Sequence, residues 1–210
     1  MTQRTKFFGL FAALTLIFTA SASQAEPIKV SYQPALYWAL PFYVATQKGY
    51  WKDVGLEPEF STFPAGVPQI AAAAAKSWDV GGTGSVPAVL GFARFGIMTI
   101  GITNDESATN ALMVAGDKAA DYGNGKNLAA AKGKVITVTQ NSTADYAIQS
   151  CLKMAGLSKT DVVMKNMGQA EIISALSAGQ TELAGLWSPN IYTVEEKSGA
   201  KMLCNGRDSG

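Results

Sequence analysis

An α/β fold with largely parallel sheets is predicted by two features of the 210-residue sequence: short β-branched runs alternate with longer helical runs, and glycines and prolines punctuate the boundaries between them. There is no fixed-period repeat, and the alanine run over residues 71–75 is the one low-complexity tract.

Residues 1–25 stand apart from that alternation. Arg4 and Lys6 precede an apolar stretch over residues 7–18, and Ser23-Gln24-Ala25 supplies small residues for a peptidase. This pattern predicts a secretory signal peptide cleaved after Ala25. The apolar stretch is too short to span a bilayer comfortably, and later apolar runs are interrupted by Lys, Asp, Asn or Gln. A periplasmic protein is therefore expected, with no lipid anchor indicated.

The elements follow in order. Residues 28–32 read as the first strand and lead into a loop with Tyr37 and Trp38. Pro41 is placed to open a helix, where its missing N–H needs no intrahelical partner, and Gly49 stops that helix. Residues 56–60 make the second strand, and Pro68 starts the alanine-rich helix. A third strand ends near Asp79 and Val80 and runs into the turn Gly81-Gly82-Thr83-Gly84-Ser85-Val86-Pro87, which opens another helix. Residues 97–102 and 112–115 are further predicted strands, with a polar segment between them. Residues 117–134 are rich in Lys, Asp, Gly and Asn, which places a lobe boundary there: lobe I over 26–116 and lobe II over 117–210. Lobe II is predicted to hold strands at 135–138, 162–167 and 183–186. Its first helix carries Ala147, Ile148, Cys151, Leu152 and Ala155 on one face and ends at Gly156. A second helix covers 170–178, and the chain closes in a polar loop.

Composition narrows the chemistry. The sequence contains no histidine, which removes Ser-His-Asp and Cys-His catalysis and histidine-ligated metals. Loss of Arg4 and Lys6 with the leader turns a formal net charge of +1 into −1, with no basic run for nucleic acid. Cys151 and Cys204 have two readings: a disulfide in an oxidising compartment, or small buried thiols.

Three predicted loops stand at the carboxyl ends of strands, where parallel sheets place ligands. The turn at Gly84, Ser85 and Val86 lets backbone N–H groups approach a ligand, but lacks the Lys of a P-loop and the spacing of a dinucleotide fingerprint. Ser142, Thr143 and Ala144 start a helix. Ser142 with Asp145 resembles a capping box, while the free N–H donors of the same turn suit an anion, and the two roles are compatible. Trp187 follows a strand and, with Tyr37 and Trp38, either lines a pocket or packs the core. Asp105 and Glu106 are either solvated surface or holders of an ammonium group.

The run Lys48-Gly49-Tyr50-Trp51-Lys52-Asp53-Val54-Gly55-Leu56 is followed in order by Phe63-Pro64-Ala65-Gly66, Trp78-Asp79-Val80-Gly81, Thr83-Gly84-Ser85-Val86-Pro87 and Leu186-Trp187-Ser188-Pro189. From residue 28 onward this series resembles the type II periplasmic substrate-binding proteins of ABC transporters, in the nitrate/sulfonate/taurine/bicarbonate family. The resemblance implies a type II periplasmic-binding-protein fold: two hinged lobes, each with a mostly parallel sheet flanked by helices. It places ligand contacts at Tyr37, Ser85, Asp105, Ser142, Thr143 and Trp187, and implies that a return of the chain to lobe I is missing, leaving lobe I incomplete. A related branch, the thiamine-pyrimidine synthases, consumes an active-site histidine that this sequence lacks. The expected function is capture of a small polar anion or zwitterion by a monomer that docks on an inner-membrane permease, without cofactor, metal or catalysis. A histidine-free enzyme and a sensor lobe are the alternatives.

Overall fold

Val30 and Ser31 are fully buried in β1 (Glu26–Tyr32), because that strand has a neighbour on each side. Parallel pairing joins β1 to β2 (Leu56–Thr62), with Val30 opposite Phe60, and to β3 (Val80–Gly82), with Val30 opposite Val80. Parallel neighbours need crossovers. These are α1 (Leu36–Lys48) with the single turn α2 (Tyr50–Asp53), then α3 (Gly66–Ala74), and α4 (Ser85–Phe95) leaves β3. The computed structural model describes residues 25–209, so the predicted signal peptide lies outside the described residues.

The second sheet has the order β6-β5-β7-β4-β8, from β4 (Asn110–Val114), β5 (Val135–Val138), β6 (Val163–Asn166), β7 (Leu183–Trp187) and β8 (Lys201–Asn205). Strands β6, β5 and β7 are parallel; β4 runs antiparallel to both β7 and β8. Between strands lie α5 (Thr143–Met154), α6 (Gln169–Ser177) and α7 (Asn190–Ser198). Alternation along β4 splits the core into two layers. Leu112 and Val114 pack with Ile136, Val138, Ile148 and Leu152 beneath α5, while Ala111 and Met113 pack with Ile172, Leu186 and Val194 beneath α6 and α7.

Two details fix where α5 starts. A Cβ on Gly185 of β7 would sit 2.3 Å from Ile148 Cδ1 and 2.6 Å from Val138 Cγ2, so the glycine is what lets α5 lie this close to the sheet. A disulfide between Cys151 and Cys204, with Cα atoms 6.1 Å apart, ties the same helix to β8.

Several expectations are corrected. Pro41 lies inside α1, which starts at Leu36, and its missing N–H removes the donor that would serve the Tyr37 carbonyl. Residues 97–102 form no strand. Their alternation is strand-like, but a strand needs a paired neighbour, and none of the described strands pairs with this segment. Residues 110–114, expected in lobe I, belong to the second sheet, so the change of sheet falls before Asn110 rather than at 117. The connection expected over 117–134 is mostly 3-10 helix, over Gly116–Gly125 and Leu128–Ala131. Strand β8 was not anticipated.

The first sheet is less covered than the second. Phe92, Met98, Ile100 and Ile102 are exposed, the last two at 86% and 91%. Among the described residues, no helix is long and apolar enough to cross a membrane.

Candidate functional site

A buried amide network under the first sheet's carboxyl edge shapes the first wall. Gln33 Nε2 donates to Gln69 Oε1 (3.2 Å) and Thr83 Oγ1 (2.7 Å), while Gln69 Nε2 donates to Ser31 Oγ (2.9 Å) and the Gly82 carbonyl (3.2 Å). Ser31, Gln33 and Gln69 are at most 2% exposed, so these bonds are shielded from water and hold the turn at Gly82, Thr83 and Gly84 firmly. Gly84 is the N-cap of α4 and offers no side chain to its orphan amides. The Ser85 amide is left facing outward.

The second wall is the start of α5. Ser142 is its N-cap, accepting from the Asp145 amide at 3.2 Å. The Asp145 carboxylate reaches past the cap to the Asn141 amide (2.8 Å) and also accepts from Gln149 Nε2 (2.9 Å). This is the anticipated capping device, with the return bond displaced by one residue. It occupies Ser142 and leaves Thr143 free to face the gap.

Glu106 joins the two walls. Its Oε1 accepts from Trp38 Nε1 (3.0 Å), and its Oε2 accepts from the Ser85 amide (2.8 Å) and, at a long 3.4 Å, from Thr143 Oγ1. The backbone behind it is gripped as tightly: its carbonyl accepts from Thr109 N (3.0 Å), Thr109 Oγ1 (3.0 Å) and Asn110 Nδ2 (3.1 Å). The Ser188 amide donates to the Thr109 carbonyl (2.9 Å), which fastens this turn to the end of β7. A Cβ on Gly84 would lie 2.6 Å from Thr143 Oγ1, so the walls are in direct contact.

Aromatic packing closes one side. Trp38 and Trp187 meet edge to face with centroids 6.1 Å apart, Tyr37 leans on Trp38 at 4.5 Å, and Ala35, Ala65 and Ala144 complete the cluster. Trp187 is placed by Gln169, whose Oε1 accepts from the Trp187 amide (3.2 Å) and from Asn190 Nδ2 (3.1 Å) while its Nε2 donates to the Gly185 carbonyl (3.1 Å). The hydroxyls of Tyr37 and Ser188 are buried without a hydrogen-bond partner among the described residues. Burial, and then the nearby Glu106 carboxylate, hold the Tyr37 phenol well above its ordinary pKa, so it stays protonated and able to donate.

On the other side a space of about 1210 Å³ opens from Trp38, Ser85, Glu106 and Thr143 toward Ile97, Met98, Ile100 and Ile102. It exceeds the roughly 300–1,000 Å³ usual for a small-molecule site, because the apolar segment 97–102 stands uncovered. Asp79, Asp105 and Glu106 line it, with no Lys or Arg among the described residues. Among the described residues, no three Cys, Asp or Glu side chains converge as metal ligands.

The predicted residues are thus partly assembled. Trp38, Gly84, Ser85 and Thr143 meet at Glu106; Tyr37, Trp38, Ala144 and Trp187 form the aromatic side. Val86 is the second residue of α4 and is not among the lining residues. Asp105 turns away. Its carboxylate accepts from the Ser107 amide and lies 3.9 Å from Arg207, and that amide bond holds its pKa below the ordinary value. Its neighbour Glu106 takes the position expected of it.

The sequence model of the family described as NMT1/THI5 like matches residues 39–205, most of the chain. The chain belongs to the NMT1/THI5-like family. Among relatives, it is 29% identical over 195 residues to a protein of Brucella abortus named as a binding protein, covering 92% of this chain and 58% of that one. A Bacillus subtilis protein named for binding aliphatic sulfonates is 27% identical over 191 residues, covering 89% and 55%. The chain therefore spans a little over half the length of the curated relatives it matches. The solved structure of the alkanesulfonate-binding protein SsuA from Xanthomonas axonopodis pv. citri, bound to MOPS, superposes with a TM-score of 0.74 at 24% identity, over 88% of this chain and 62% of that one. This NMT1/THI5-like chain accordingly has the α/β fold of the periplasmic binding proteins, as the resemblance implied.

Proposed function

We propose that this chain is the solute-capturing part of an extracytoplasmic binding protein that serves an ABC importer. One observation carries the reading: Trp38 of α1 and Ser85 of α4, beside the first sheet, and Thr143 of α5, beside the second, converge on a single carboxylate, so the two halves meet on a shared polar point. Two helix starts aimed at one spot, with a desolvating aromatic side, are suited to holding a small polar molecule by hydrogen bonds. The Asn104 side-chain nitrogen, buried without a partner among the described residues and lining the space, offers a further contact. Relatives and structural neighbours named for sulfonate binding support a small anion or zwitterion of the sulfonate, taurine or nitrate type. The closed form docks on a membrane permease as a monomer, and no covalent step is involved.

Because Trp38 lines the space and Trp187 packs against it, capture is readable as a change in intrinsic fluorescence. Titration with a panel of sulfonates, amino acids and pyrimidines is expected to give a saturable change for one class, with the solute recovered unaltered. Conversion of a bound solute to a product would overturn the reading in favour of an enzyme.

A further inference from the structure

Glu106 sits where a captured anion was expected, and it carries the charge of one. Its oxygens already take the Trp38 indole N–H, the Ser85 amide and the Thr143 hydroxyl, which are the donors both walls present to the gap. A carboxylate oxygen accepts about two hydrogen bonds. Oε2 is therefore filled, and Oε1 has one position open. A simple anion entering here meets occupied donors and a charge of its own sign.

The surroundings do not neutralise that charge. The ion pairs among the described residues join Lys132 to Asp161, Lys134 to Glu182 and Arg207 to Asp105; Glu106 is in none of them. Among the described residues, the adjoining space carries three carboxylates and no cationic side chain. Asp105 has Arg207 beside it, and Asp79 accepts from the Lys29 amide (2.8 Å), which leaves Glu106 as the carboxylate at the meeting point of the walls. A half-buried charge without a counter-ion is relieved by a cation or a charged N–H donor.

We infer that Glu106 determines specificity: it selects solutes that present a protonated amine or another charged N–H donor to the gap, and it disfavours anions that lack one. The inference rests on the solute-capture reading and names the chemistry of its solute. The Asn104 side-chain nitrogen, buried without a hydrogen-bond partner among the described residues, lines the same space and remains for the solute's polar remainder, so a zwitterion fits better than a bare cation.

The test uses matched pairs that differ by one ammonium group: taurine with ethanesulfonate, and β-alanine with propionate, titrated calorimetrically into wild type, E106Q and E106D. Wild type is expected to bind the amine-bearing member at least tenfold more tightly. That ratio should fall at least tenfold in E106Q and persist in E106D, which keeps the charge. Equal or reversed preference in wild type, an unchanged ratio in E106Q, or a lost ratio in E106D overturns the inference while leaving solute capture intact. An E106Q protein that melts like wild type but binds neither member shows Glu106 to be purely structural and also overturns it. If no member of either pair binds any of the three proteins, capture of this class of solute fails, and the inference fails with it.

Discussion

At the scale of single residues, the contact between Gly84 and Thr143 is the sharpest constraint on the gap. Gly84 has an ordinary φ of −67°, so alanine is acceptable to its backbone, but the added methyl would lie 2.6 Å from Thr143 Oγ1. Thr143 must then swing away from Glu106 or the walls must part. Overpacking of this kind costs about 1–3 kcal/mol, so Gly84→Ala should weaken solute binding roughly five- to 150-fold in a fluorescence titration, with little change in melting temperature. Unaltered affinity would show that the walls do not need to touch. The residues alone left Asp105 and Glu106 both open and the resemblance pointed to Asp105, whereas the walls meet on Glu106. Two adjacent carboxylates look alike along a chain, and which one turns inward depends on the three-bond grip of Thr109 and Asn110 on the Glu106 carbonyl. Gln169 carries no motif, and its role in placing Trp187 is set by the pairing of strands distant in sequence. The N-cap at Ser142 was legible, because a cap is a local arrangement.

At the scale of elements, α5 is positioned by what β7 leaves out. Ile148 and Val138 are fully buried and have nowhere to move, so Gly185→Ala is expected to cost about 1–3 kcal/mol, or roughly 2–4 °C in melting temperature for each kcal/mol. A thermal melt indistinguishable from wild type would mean that α5 is seated by other contacts. A second element-level tie joins the 3-10 segment to β7. Glu182, just before β7, accepts from the Tyr122 hydroxyl and from Lys134 Nζ (3.2 Å), and these bonds, the tyrosine's first, hold its pKa below the usual 4.5. A depressed carboxylate pKa lends stability that is complete above the unfolded value and disappears as pH falls through the folded one. Denaturation followed by circular dichroism should therefore show stability declining below about pH 4.5, and Glu182→Gln should flatten that decline; an identical acid limb in the variant would remove Glu182 from the account. Strands with strong local alternation, such as β1 and β5, could be read from sequence. Residues 97–102 alternate just as well yet form no strand, and β8, with Lys and Asn at its ends, is made a strand by β4 beside it. Pairing is a property of neighbours, which a single segment does not carry.

At the scale of the whole molecule, the Cys151–Cys204 disulfide closes a loop of 53 residues through the second sheet. Restricting the unfolded chain over that length contributes up to about 4 kcal/mol. Reduction, or the double change C151S/C204S, should lower the melting temperature by several degrees, and mass spectrometry should find no free thiol before reduction. A melt insensitive to reductant would contradict this. Among the described residues the chain passes between the sheets once, along 96–109, and Glu106 rides on that passage. Any swing of one half away from the other must therefore pull this side chain from Ser85, Thr143 or both. Such a swing would let more water reach one negative charge. On the solute-capture reading, a molecule held by that charge would be let go by the same movement that bares the space beside residues 97–102, without a separate latch.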